Sequence, residues 1–156
     1  MANYTALLCQ LPLASFAALL DDCGRKARET FFARHRIRAP KTSKTSVRAS
    51  DKNAVRAERL LEHLQTHQDE PMAEELLRQL FLRQRPLLAK ALDTLQVPHE
   101  DGLTQAPELS RFAELDAAAA EQLVSTLEAS DVAGKELARL YVPFMRLQMA
   151  EAAREA

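Results

Sequence analysis

Large apolar side chains return at helical intervals along most of the 156-residue chain, and no stretch alternates as a half-buried strand would. Leu13, Phe16, Leu20 and Cys23 lie at i, i+3, i+7 and i+10, which predicts a core-facing helix starting near positions 11–13, with Pro12 in its first turn. That helix either runs through Gly24 into Arg25-Lys26-Ala27-Arg28, anchored by Phe31 and Phe32, or breaks at the glycine. It must end before Pro40, because a residue preceding proline disfavours the helical region. Ser50 or Asp51 can cap a second helix reaching about Thr66, with Val55, Leu60, Leu61 and Leu64 as its buried stripe. Lys52, Arg56 and Arg59, at i, i+4 and i+7, are expected to share its exposed side.

Pro71 opens a third helix with Met72, Leu76, Leu77, Leu80 and Phe81 facing inward, while Asp69, Glu70, Glu74 and Glu75 near its start complement the helix dipole. Pro86 marks another opening or a kink ahead of Leu87, Leu88, Ala91, Leu92 and Leu95. Residues 98–102 read as a connector. Further helices are expected over 107–115, 116–129 and from 131 almost to the C-terminus, the last with Leu137, Leu140, Tyr141, Phe144 and Met145 as its stripe and a kink at Pro143.

The expected architecture is all-α: a single compact bundle of six or seven helices spanning residues 1–156. An apolar fraction of 47% can supply its core, and a content of only three glycines favours helix. Residues 39–49, Ala-Pro-Lys-Thr-Ser-Lys-Thr-Ser-Val-Arg-Ala, carry almost no large apolar group and cannot offset their ordering entropy by burial. They are expected to form a mobile basic loop. Cys9 and Cys23 are too few for a disulfide framework and read as reduced core thiols.

Charge changes this otherwise plain picture. Residues 25–59 hold twelve of the 21 Lys and Arg but three of the 22 acids, so the segment is +9 while the remainder is −10. Such segregation points to a polyanionic or acidic partner. Arg25, Arg28, Arg34, Arg36, Arg38, Lys41, Lys44, Arg48, Lys52, Arg56 and Arg59 are the candidate donors, and the fork of arginine suits phosphate. Only Phe31 and Phe32 offer aromatic surface there, so sequence-independent contact with a nucleic-acid backbone fits better than base readout. Two alternatives share the same cations: a helical adaptor meeting an acidic protein partner, and internal pairing with acids such as Asp21, Asp22, Glu74 and Glu75. Phosphorylation within 42–50 would weaken anion binding by adding negative charge.

A sharper but weaker candidate is metal binding by His63 and His67, which a helix places on one face, with His99, Glu100 and Asp101 as conceivable further ligands. Leu64 stands where a zinc hydrolase motif has its Glu, so two histidines near a helix end are the plainer reading. No nucleophile elbow, phosphate-cradling glycine loop or Cys–His pair is recognisable, and no enzyme activity or cofactor is expected. A helix-turn-helix over 87–115 would have an unusually long turn and an acidic second helix.

The run Arg83-Gln84-Arg85-Pro86-Leu87-Leu88, then Ala91-Leu92-Asp93, then Val97-Pro98-His99-Glu100-Asp101-Gly102, resembles a recurring pattern of an uncharacterised bacterial all-helical protein family. The resemblance covers about twenty residues and implies a bacterial cytoplasmic protein, without an activity. The apolar stretch 6–20 lacks a basic flank, contains Gln10 and Pro12 and is shorter than the roughly 20 residues needed to span a bilayer. A cytoplasmic location without membrane association is therefore expected.

Overall fold

The structure, a computed structural model, describes residues 3–34, 53–94, 96–103, 118 and 132–155. Eight helices are described: α1 (Tyr4–Leu8), α2 (Leu13–Asp22), α3 (Arg25–Arg34), α4 (Asn53–His67), α5 (Glu70–Arg83), α6 (Arg85–Thr94), α7 (Val132–Arg139) and α8 (Tyr141–Glu155). The one extended pairing among the described residues is an isolated bridge between Glu100 and Leu103, and the fold is all-α. The loop expected at 39–49 and the helices expected over 107–129 lie outside the described residues, except for helical Ala118. The chain divides into two compact units, Met1–Arg83 and Gln84–Ala156.

In the first unit, α1 and α2 each pack against both α4 and α5. Phe16, Leu19, Leu60, Leu64, Leu76, Leu77 and Leu80 are almost wholly withdrawn from solvent. The short α1 has no counterpart in the sequence reading. Its start is built by two acceptors: Asn3 Oδ1 takes the Ala6 N–H at 2.7 Å, and the Glu70 carboxylate takes the Tyr4 and Thr5 N–H groups at 2.9 and 3.1 Å. Glu70 thus opens α5 and also holds the N-terminus of α1, while the adjacent Asp69 caps α5 through the Met72 N–H at 3.3 Å.

Gly24 is a break. It adopts φ +84°, its N–H returns to Asp21 O at 3.3 Å, and α3 begins at the next residue. Cys9 and Cys23 therefore stand at the C-caps of two separate helices, α1 and α2. Burial pushes both thiols above the ordinary cysteine range, against smaller opposing effects from Gln65 on Cys9 and from Arg28 and Arg83 on Cys23. Neither forms a disulfide.

The second unit contains α6, which packs against α7, and α7 packs in turn against α8. Helix α6 ends in a Schellman motif with Gln96, at φ +57°, in place of the usual glycine. The Val97 N–H reaches Leu92 O at 2.9 Å, the Gln96 N–H reaches Asp93 O at 3.1 Å, and Val97 and Leu92 are both buried. The chain then doubles back over α6, and Gly102 lies directly against the helix backbone: a Cβ there would sit 2.7 Å from Arg85 O.

The terminal helix expected from residue 131 is interrupted at Leu140, just after Arg139, whose carbonyl Pro143 has no N–H to bond. Pro143 is thereby the third residue of α8, where an N–H has no intrahelical acceptor to lose. Leu137, Leu140, Tyr141, Phe144 and Met145 are buried as the pattern predicted. Burial pushes the Tyr141 hydroxyl up to about 12.

Candidate polyanion-binding surface

Five of the eleven candidate cations fall among the described residues. Arg36, Arg38, Lys41, Lys44, Arg48 and Lys52 lie outside them. The five occupy three different environments, set by the helices that carry them.

Helix α3 presents Arg25, Lys26 and Arg34 to solvent and buries Phe31, its apolar anchor. Arg25 Nε donates to Glu29 Oε1 at 2.7 Å, one turn along the same helix, and this bond holds its guanidinium protonated even more firmly than usual. Arg34, at the C-terminal end of α3, reaches 41 residues away to hydrogen-bond Glu75 on α5. Arg28 turns inward: its Nη1 donates to Leu20 O at 3.1 Å and Asp21 O at 2.7 Å, with the Asp21 carboxylate at 3.7 Å. It adds a side-chain donor to two carbonyls of the last turn of α2, of which Asp21 O also takes the Gly24 N–H.

Helix α4 corrects the sequence reading. Its buried face carries Arg56, Ala57, Leu60, His63 and Leu64, while Val55 and Leu61 are half-buried. Residues 56, 60 and 64 form one i, i+4 row, so a face centred on that row must include position 56. Arg56 is 7% exposed and Arg59 is half-buried, so neither stands on the fully exposed side expected of them, while Lys52 lies outside the described residues. An arginine can occupy such a position because its long aliphatic stem packs as an apolar group.

His63 and His67 do share a face, with ring centroids 4.6 Å apart and the rings tilted by 44°. His63 is buried and its Nε2 lies 3.5 Å from Asp69 Oδ2. Among the described residues no group of three or more His, Cys, Asp or Glu is placed to hold a metal ion.

In the second unit, His99 serves the turn after α6. Its Nδ1 accepts the Gly102 N–H at 3.0 Å, so the proton of the neutral ring is on Nε2, which donates to Asp93 Oδ1 at 2.7 Å. Arg85 closes the same turn, with Nε donating to Asp101 O at 3.2 Å and Nη2 at 3.4 Å from Asp101 Oδ2. Arg85, Leu92, Asp93, Val97, His99, Asp101 and Gly102 thus build one helix-ending clasp. Spacing alone did not reveal it, because the contacts cross from a helix to a doubled-back turn.

No helix among the described residues is long and apolar enough to cross a membrane. No family model, curated protein or solved structure matches the chain.

Proposed function

We propose that this chain is a non-enzymatic helical binding protein of the cytoplasm that engages a polyanion, nucleic acid read without regard to sequence, through the basic segment between Arg25 and Arg59. The observation that carries the reading is the +9 concentrated in residues 25–59 of a chain whose total is −1. Exposed Arg25, Lys26 and Arg34 on α3 and half-buried Arg59 on α4 are the described groups that can reach a phosphate. Arg28 and Arg56, turned into the protein, add positive potential more than direct contacts. Arg36, Arg38, Lys41, Lys44, Arg48 and Lys52 supply the remaining charge. With Phe31 buried, that ring is withdrawn from base stacking, which favours backbone contact.

One observation favours a second reading, a helical adaptor for an acidic protein: Arg34 already donates to a carboxylate, that of Glu75. Fluorescence anisotropy with labelled random-sequence 30-mers of RNA and DNA, competed with polyglutamate, separates the two. The polyanion reading expects both nucleic acids to bind with similar affinity and to resist polyglutamate at equal charge. Displacement by polyglutamate at far lower charge equivalents favours the adaptor.

A further inference from the structure

We propose that Glu75 is an internal competitor for the cationic surface, so that a polyanion gains full contact with Arg34 only by opening the Arg34–Glu75 pair. The inference rests on the polyanion reading above. Arg34 is the final residue of α3 and directly precedes, in sequence, the stretch that bears six further cations. Its pairing is not a local helix contact, since Glu75 stands on α5, 41 residues away. Glu75 is also oriented: its Oε1 accepts from Gln79 Nε2 at 3.4 Å, and its side chain is 25% exposed against 59% for Arg34.

An arriving phosphate meets a guanidinium whose fork is partly occupied and a carboxylate that repels it. Binding must therefore exchange one anion for another at Arg34. Because the pair is partly exposed, its grip is modest, which suits a contact that opens.

Glu74 supplies an internal control. It is the neighbouring acid, but it pairs with Arg78 on its own helix, so Glu74→Gln and Glu75→Gln change the net charge equally and differ in what they release. Binding of a labelled random-sequence 30-mer RNA at low salt is measured for the intact protein, both variants, Arg34→Ala and the Arg34→Ala/Glu75→Gln double variant. We expect Glu75→Gln to bind about two- to fivefold more tightly than Glu74→Gln, with that gain absent in the Arg34→Ala background. Equal affinities for the two glutamine variants, with the intact protein binding, overturn the competitor while leaving the polyanion reading in place. A gain that persists without Arg34 also overturns it. Absence of binding by every form overturns both.

Discussion

The two glycines with positive φ allow the price of a backbone conformation to be separated from the price of space. Gly24 and Gly102 have nearly the same geometry, φ +84° and +83°, so an alanine at either meets the same left-handed strain. That strain is about 1–2 kcal/mol, offset by about 0.4–1 kcal/mol because alanine restricts the unfolded chain. The surroundings differ. A Cβ at Gly24 meets nothing within 4 Å, whereas at Gly102 it meets Arg85 O at 2.7 Å, Leu88 Cβ at 3.3 Å and the Ala89 nitrogen at 3.4 Å. Two of those atoms are helix backbone, which cannot swing aside, and overpacking of this kind costs about 1–3 kcal/mol. Moving the turn outward would also stretch the Gly102 N–H bond to His99. Gly24→Ala is therefore expected to cost about 1 kcal/mol and Gly102→Ala about 2–4 kcal/mol. Urea unfolding followed by circular dichroism and tyrosine fluorescence reads both, since the chain has no Trp and its two tyrosines, Tyr4 and Tyr141, fall one in each unit. Equal losses at the two positions would refute the close packing of the turn on α6.

Alkaline pH provides an independent check on the second unit. Tyr141 is pushed up to about 12 from an ordinary 10, so the unfolded chain ionises first; stability is intact below pH 10 and declines as pH rises toward 12, by about 2–3 kcal/mol. Tyr141→Phe should flatten that decline, measured alongside tyrosinate absorbance, and an unaltered decline would contradict the burial. In the first unit, Glu70→Ala removes the acceptor of two amides at the start of α1 and is expected to cost about 1–3 kcal/mol. Hydrogen exchange at Tyr4 and Thr5 should accelerate while Ala6, held by Asn3, changes less; unchanged exchange at all three would count against the clamp.

Periodicity revealed what depends on local spacing. The inward faces of α5, Met72, Leu76, Leu77, Leu80 and Phe81, and of the C-terminal stripe from Leu137 to Met145 are buried as read. What escaped depends on groups distant in sequence or on unusual backbone. Helix α1 is five residues long and owes its start partly to Glu70, 65 positions on, which no local pattern contains. Helices α4 and α6 are followed by left-handed Gln68 and Gln96, where the sequence offers no glycine as a signal. Pro143 did mark an interruption of the terminal helix, but a full break at Leu140 rather than a bend within one helix. On the candidate surface, charge was legible but destination was not: Arg25 and Arg34 face solvent, Arg28 ends α2, and Arg56 enters the core face of α4. A one-residue rotation of the α4 stripe decides the last of these, and apolar spacing does not resolve one residue.

The central claim is that the cations of residues 25–59 neutralise phosphates. Salt-titrated binding of the intact protein to random-sequence RNA and DNA tests it most directly. With about six phosphates contacted, log affinity should fall against log salt with a slope near −5 for duplex DNA and somewhat less steeply for single strands. A flat salt dependence, or no measurable binding at low salt, would contradict the account.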